Sequence, residues 1–420
     1  MDAQHGPDVD NVGMSEPGSL RHPSLSRPRR GQRGPRLVAA GDRAASAPQR
    51  REPRALAIAA RVLAAVPLAL TLLPFSRTGQ GWVRIWEFPR AQISALGLLG
   101  QAAMWRWGTS GRADRALRAA LAVALAYQAA KMVPYTRLYP RQVPDAGDVP
   151  DECCIRLFMG NVLQDNRRAD LVLQAVRDAD PDVVCLVETD AWWTSALQPL
   201  VADYPHVIKH PLSNDYGMFL CSRLPLTSSE VRFVVSDDVP SIRAVVQLRS
   251  GDEVVIYAVH PPPPLPESPS YGRDAELVLT GRQIADEGRP AVVIGDLNDV
   301  AWSYTATLFQ RISHMVDPRV GRGMFSTFHS EHPLARYPLD HVFHTRDFTL
   351  KDLRVLSYTG SDHFPIVAEL AYTPERKPEV ACPTASTADL ENAAEMVEDA
   401  EEAQPYVGSD GKARVTTTPS

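Results

Sequence analysis

Cysteine is scarce in this 420-residue chain. The five present, Cys153, Cys154, Cys185, Cys221 and Cys382, form no C-x-x-C pair. That excludes a zinc knuckle, and a chain of this length needs no disulfide framework. Cys185 and Cys221 lie inside apolar runs and read as core residues. Lysine is equally rare, five of the 44 basic side chains. Basic excess is missing where duplex binding would need it. Residues 151–372 carry 19 basic and 30 acidic side chains, a net charge of −11. Tight non-specific DNA binding rests on Lys and Arg neutralising phosphates, so this region is a poor electrostatic match for it.

What is present is unevenly spread. Residues 20–54 hold ten arginines against Asp42 and Glu52, a net of +8. Residues 1–54 are rich in Pro, Gly, Ser and Arg without apolar periodicity, and read as a disordered basic arm. Residues 373–420 hold ten carboxylates against four basic groups and read as a disordered acidic tail.

Between them, residues 55–134 contain three apolar stretches, 55–75, 88–107 and 116–134. About 20 apolar residues cross a bilayer as a helix, and arginines near the ends can snorkel to the interface. Trp82, Trp86, Trp105 and Trp107 lie at the edges of the stretches, as an interfacial belt requires. The expectation is a membrane region of about three transmembrane helices. Basic residues favour the cytoplasm. The arm and the 108–115 linker are the better cytoplasmic segments, so three spans would put the C-terminal domain outside the cytoplasm. The basic arm could then bind anionic headgroups.

Residues 135–150 read as a linker, and residues 151–372 as a globular domain. Short apolar strands are expected at 155–160, 183–187, 218–221, 244–248, 254–259, 291–294, 341–344 and 365–370, with helices at 170–178 and 274–287. Strands outnumber helices and several are joined by short turns. That predicts an α/β domain with mixed or antiparallel sheets, not a doubly wound parallel sheet.

The informative polar residues stand at strand ends. "LFMGN" ends in Asn161, "VVCLVETD" leads to Glu188, and "VVIYAVH" ends in His260. "AVVIGDLND" supplies Asp296 and Asn298, "YPLDHVF" supplies Asp340, and "GSDHFPIV" supplies Asp362 and His363. Half-buried carboxylates are costly unless paired or metal-bound. Their grouping at strand termini predicts one site at one sheet edge. Hard oxygen ligands such as Glu188 suit Mg²⁺ or Mn²⁺, which also coordinate substrate phosphate. A histidine oriented by a carboxylate, as His363 by Asp340, could take a proton from an attacking water. The chemistry that fits is hydrolysis of a phosphate ester. Trp192 and Trp193 read as a helix packing face, but with the proline run 261–264 they could also shape the pocket rim.

In this order and spacing, the motifs resemble the endonuclease/exonuclease/phosphatase superfamily, and a membrane-anchored bacterial subgroup of it. The resemblance implies a four-layer sandwich of two mostly antiparallel or mixed β-sheets flanked by helices. It implies that Glu188 is the principal metal ligand, with Asn161 and Asp362 near the metal. His260 would contact the phosphate or assist the leaving group, and Asn298 would hold a phosphoryl oxygen. Asp340 and His363 would pair, and Asp296 competes with His363 for the role of base. Arg223 in "CSRLPL" and Arg243 in "PSIRAVV" resemble substrate-binding positions. Leu163 stands where some family nucleases carry an acidic ligand, which favours one metal over two. The expected partners are a phosphate ester and a membrane, with nucleic acid less favoured. Two alternatives are a tethered binding module without turnover and a nuclease acting outside the cytoplasm.

Overall fold

The computed structural model describes residues 54–266 and 269–403, and the backbone of residues 414–416. The basic arm and the end of the acidic tail fall outside the described residues.

The chain first forms four helices: α1 (Arg54–Leu72), the single turn α2 (Gly81–Arg84), α3 (Arg90–Trp107) and α4 (Arg112–Met132). Small side chains let α1, α3 and α4 pack closely, with Ala60, Ala64, Ala103, Met104 and Leu121 at the centre. A Cβ on Gly100 would lie 2.6 Å from the Leu63 carbonyl oxygen, so that crossing needs glycine. Larger apolar side chains, among them Ile58, Val62, Val66, Leu98, Leu99 and Val123, point outward. Exposed apolar surface of this extent marks an interaction face. Two segments, Arg54–Ser76 and Arg112–Tyr135, are long and apolar enough to cross a membrane, by length and composition only. The expected third span, α3, is not among them; Arg90, Gln92, Gln101 and Arg106 dilute its apolar residues. Placement of the domain outside the cytoplasm depended on that third crossing.

The globular domain is built on two six-stranded sheets. One is formed by β1 (Cys154–Asn161), β2 (Val183–Val187), β3 (His206–His210), β4 (Met218–Ser222), β10 (Phe348–Val355) and β11 (Ile366–Tyr372), in the order β10-β11-β1-β2-β4-β3. The other contains β5 (Leu226–Phe233), β6 (Pro240–Gln247), β7 (Glu253–Ala258), β8 (Ala291–Asp296), β9 (Asp340–His344) and β12 (Arg414–Thr416), in the order β12-β5-β6-β7-β8-β9. Two neighbouring pairs are parallel, β1 with β2 and β7 with β8; the other ladders are antiparallel. Each parallel pair needs a crossover helix. These are α5 (Ala169–Ala179) and α8 (Tyr271–Glu287).

Side chains alternate across each strand. Ile155, Leu157 and Met159 therefore point into a core shared with Ile242, Ala244, Ile256, Val292 and Val342 of the second sheet. Phe158, Val184 and Leu186 point the other way, onto Val172 and Val176 of α5 and onto Trp193. Trp193 belongs to α6 (Ala191–Ala196), which is followed by α7 (Gln198–Val201). On the far side, Val255, Tyr257 and Val293 pack on Leu277 and Ile284 of α8 and on Phe309 of α9 (Tyr304–Ser313). The result is the expected four-layer sandwich. Burial on both faces explains why β2, β7 and β8 read as unbroken apolar runs.

Two expectations change. Part of the acidic tail is a helix, α10 (Thr387–Ala403), whose Ala393, Met396, Val397 and Ala400 pack against Val278, Leu308 and Ile312 or Ala275. Small apolar residues at helical spacing supply a face that net charge conceals. The 135–150 segment is not a free linker either: Tyr135 and Val143 are buried, and the Tyr135 hydroxyl donates to the Ala301 carbonyl at 2.6 Å.

The turn between α1 and α3 is also anchored to the sandwich. Arg84 and Glu87 are buried, and Arg84 reaches Asp274 on α8 at 3.0 Å. Glu87 accepts from the Tyr304 backbone N–H at 3.1 Å, and its carbonyl accepts from Trp302 Nε1 at 2.8 Å.

Candidate active site

Sheet topology carries the motif residues to one edge. Asn161 closes β1 and Glu188 follows β2, the parallel neighbour of β1. His260 lies just beyond β7, and Asp296 closes β8, the parallel neighbour of β7. Asp296 and Asp340 are register partners on β8 and β9. His363 precedes β11, which runs antiparallel to β1 and so begins at the same end.

Local backbone turns the side chains inward. Glu188 has φ 64° and Asn298 has φ 49°. Such left-handed residues other than glycine are uncommon and cost of order 1 kcal/mol, and they concentrate at functional sites. At Gly295, φ 158°, a Cβ would collide with the Val259 carbonyl. Glycine there brings the end of β7, and with it His260, against Asp296.

The donor atoms of Asp296, Asp340 and His363 lie within 4.8 Å of one another. His363 Nδ1 is 2.8 Å from Asp340 Oδ2, and its Nε2 faces Asp296 Oδ2 at 3.4 Å. Asn161 Nδ2 donates to Glu188 Oε1 at 2.7 Å and to Asp296 Oδ2 at 3.1 Å, joining the two carboxylates. The backbone N–H of Gln164, beside left-handed Leu163, donates to Glu188 Oε2 at 3.1 Å. His260 Nε2 lies 3.9 Å from Asp296 Oδ2.

Burial pushes Glu188 up to about 7, against its hydrogen bonds from Asn161 and Gln164. Burial also raises Asp296, with the Asp340 charge adding and His363 opposing. Burial lowers His260 to about 4, so this imidazole is neutral near pH 7. Burial pulls His363 the same way, but the charges of Asp340 and Asp296 outweigh it and push His363 up to about 10.

Two buried carboxylates, Asp296 and Asp340, and the half-buried Glu188 thus share one cluster with His363. Asp340 Oδ1 and His260 Nδ1 are buried without a hydrogen-bond partner among the described residues. Oxygen-rich, uncompensated negative charge is what a hard divalent cation requires. Asp296, Asp340 and His363 present the donor atoms for one, with Glu188 linked to Asp296 through Asn161.

Other expected residues are elsewhere. Asp362 is not in the close group of Asp296, Asp340 and His363; its Oδ1 accepts from Ser361 Oγ at 3.4 Å, and its charge still adds to those raising His363. Arg223 follows β4 at Ser222, the partner of Val183, so it lies at the far end of β2 from Glu188. There it pairs with Asp180 and stacks over Tyr204. Arg243 is held by both Glu287 oxygens, at 3.1 and 2.6 Å. Both arginines brace the sandwich, because a position on a strand does not say which end or partner the side chain meets. Asn298 Nδ2 donates to the Pro261 carbonyl at 3.0 Å, tying the loop after His260 to the loop after β8. Trp193 is fully buried and forms no rim, while Trp192 lies under Arg167. The aromatic wall beside the site comes instead from Trp82, Trp86 and Phe88, ahead of the domain. Sequence reading had assigned the two tryptophans to a membrane interface.

Asp299, two residues past Leu297, was also missed. Its buried carboxylate accepts from Ser303 Oγ at 2.6 Å and lies 3.7 Å from Arg273. The repeated acid in "GDLND" was the available signal.

The profile of the Endonuclease/Exonuclease/phosphatase family matches residues 157–363. No curated protein matches the chain. Among solved structures, the human Nocturnin catalytic domain aligns at 18% identity and TM-score 0.43, over 52% of this chain and 95% of its own. An endonuclease/exonuclease/phosphatase from Bacteroides vulgatus aligns at 20% identity and TM-score 0.44, over 52% and 99%. D. rerio TDP2 complexed with single strand DNA product aligns at 18% identity and TM-score 0.44, over 52% and 98%.

Proposed function

The chain belongs to the endonuclease/exonuclease/phosphatase family through residues 157–363, and from that premise we propose that it is a membrane-anchored, divalent-metal-dependent hydrolase of phosphodiesters or phosphomonoesters. The observation that carries this reading is the buried group of Asp296, Asp340 and His363, joined to Glu188 through Asn161.

Glu188, Asp296 and Asp340 would hold Mg²⁺ or Mn²⁺, with Asn161 supporting them. Bound there, the ion supplies Lewis-acid polarisation of the phosphoryl oxygens. His363, oriented by the 2.8 Å contact of its Nδ1 with Asp340, would turn Nε2 toward a phosphoryl oxygen. Asp296, 3.4 Å from that Nε2, would accept the proton of the attacking water. Neutral His260 hydrogen-bonds a second phosphoryl oxygen. Anchorage rests on the two helices whose length and composition suit a bilayer and on the apolar outer face of their bundle.

The test uses the full chain in detergent, because Arg84 and Glu87 are part of the packed domain. A panel of phosphomonoesters and phosphodiesters is assayed with Mg²⁺, with Mn²⁺ and with EDTA. Turnover should fall at least about 100-fold with chelator, since metal stabilisation is worth several kcal/mol. Turnover indifferent to EDTA would remove the metal from this reading. Silence across the panel would favour a tethered binding module.

A further inference from the structure

A cavity of about 730 Å³ opens beside the catalytic cluster. Asn298 and His363 line it. So do Trp82, Ile85, Trp86, Phe88 and Pro89, from the turn between α1 and α3. The rest of the lining is Pro263, Pro264, Leu265 and Pro266, with Phe328, Tyr337 and Leu339. Apart from the two active-site side chains and the Tyr337 hydroxyl, these are apolar or aromatic groups. Among the described residues, no Lys, Arg, Asp or Glu lines the cavity.

The walls are held in place. Arg84 and Glu87, on either side of Ile85 and Trp86, are locked to Asp274, Tyr304 and Trp302. Asn298 fixes the first proline carbonyl, Pro261. At the outer rim, Trp82 is 52% and Leu265 51% exposed, apolar surface that water covers poorly. The wall also continues directly from α1, one of the two segments with membrane-crossing composition.

Resting on the hydrolase reading above, we propose that this cavity is a subsite for the acyl chain of a membrane-lipid phosphate ester, whose phosphate lies against His363. The cavity is lined both by His363 and by residues 82–89, which follow the candidate span ending at Ser76, and its described lining has the chemistry of a chain and not of a headgroup. A nucleic-acid strand fits less well, because binding of single strands combines aromatic stacking with a cationic groove, and no cation lines the cavity among the described residues. The chain's own undescribed segments are poor occupants: residues 1–53 contain no apolar run longer than Leu37–Ala40, and residues 404–413 and 417–420 are mostly polar.

The experiment uses the full chain in mixed micelles with Mg²⁺. It compares a diacyl glycerophosphodiester with the deacylated diester of the same headgroup. With several methylenes buried, the diacyl ester should be favoured by at least about tenfold in kcat/KM. Trp86→Ser and Leu265→Asn leave α1 and α4 intact, so micelle anchorage is retained. Each should shrink the ratio by about threefold or more. Leu265 is half-exposed, so its variant reports even if the Trp86 variant fails to fold. Equal turnover of the two esters, or a ratio unmoved by both variants, overturns the subsite and leaves the hydrolase reading standing. So does competition by a single-stranded oligonucleotide that the enzyme cleaves faster. Turnover of neither ester strikes the hydrolase reading and the subsite together.

Discussion

Two buried polar clusters lie on either side of the loop after β8, and they differ in charge balance. Asp296 faces the first, where Glu188, Asp296 and Asp340 meet the single cation His363. Asp299, three residues on, faces the second. There Glu87, Asp274 and Asp299 meet Arg84, Arg90 and Arg273, one guanidinium for each carboxylate. Burial would raise Asp274, but Arg273 and Arg84 overcome it and hold its carboxyl down at about 2. Asp299, 3.7 Å from Arg273, is raised by burial to about 6. Asp296 is raised by burial, with the Asp340 charge adding and His363 and His260 opposing. A matched cluster fixes the turn between α1 and α3 to the sandwich. An unmatched one keeps capacity for a cation and for proton transfer, and that capacity costs stability.

The contrast can be broken from either side. The largest effect is expected at Asp296. Asp296→Asn should cut kcat/KM by about 10²- to 10⁴-fold, as for loss of a general base. Its melting temperature should hold or rise, because one uncompensated buried charge is gone. Steady-state kinetics and thermal melting on the same preparation decide this; a stable, fully active variant would remove Asp296 from the chemistry. Next is Arg84→Ala, which leaves only Arg90 and Arg273 to balance Glu87, Asp274 and Asp299. A loss of roughly 3–5 kcal/mol is expected, read from denaturant unfolding of the full chain. A loss below 1 kcal/mol would mean the matched cluster is not what anchors the turn.

A third prediction concerns an isolated buried acid. Glu276 on α8 is pushed up by burial from 4.5 to about 8, and its Oε1 has no partner among the described residues. Its folded pKa exceeds its unfolded one, so its contribution is intact below about 4.5 and is lost as pH rises to about 8. Glu276→Gln should therefore flatten the fall in melting temperature between these two pH values, by a few degrees at the alkaline end. An unchanged pH profile would show that the acid is not buried as described. The smallest effect is expected at Arg223. Its half-exposed pair with Asp180 is worth about 0–1 kcal/mol, and Arg223→Ala should leave kcat/KM unchanged. A tenfold kinetic loss would return this arginine to the site.

Legibility followed burial. The β2 strand has the bounds that its apolar run announced, and β1, β7 and β8 differ from expectation by a few residues at their ends. The β5 strand, with Thr227, Ser228 and Ser229 exposed, gave no such signal, and neither did the short edge strand β3. Helix α9 passed unread because Thr305, Gln310 and Ser313 are buried polar residues within its packed face. In the site, His260, Asp296, Asp340 and His363 were legible because a polar residue ending an apolar strand needs a reason. Asp362, the neighbour of His363, stands outside the close group of Asp296, Asp340 and His363.

The sequence by itself determined the sandwich and the sheet edge at which most of the motif side chains meet. These follow from alternation and from the cost of burying charge, both local properties of the chain. Only the tertiary structure decided which cations neutralise which carboxylates. It separated Asp296 from Asp299, sent Arg223 and Arg243 to structural partners, and brought Trp82, Trp86 and Phe88 to the mouth of the site across some 200 residues of chain. Charge pairing and cavity walls depend on distances between elements remote in sequence, and those distances exist only once the sheets have packed.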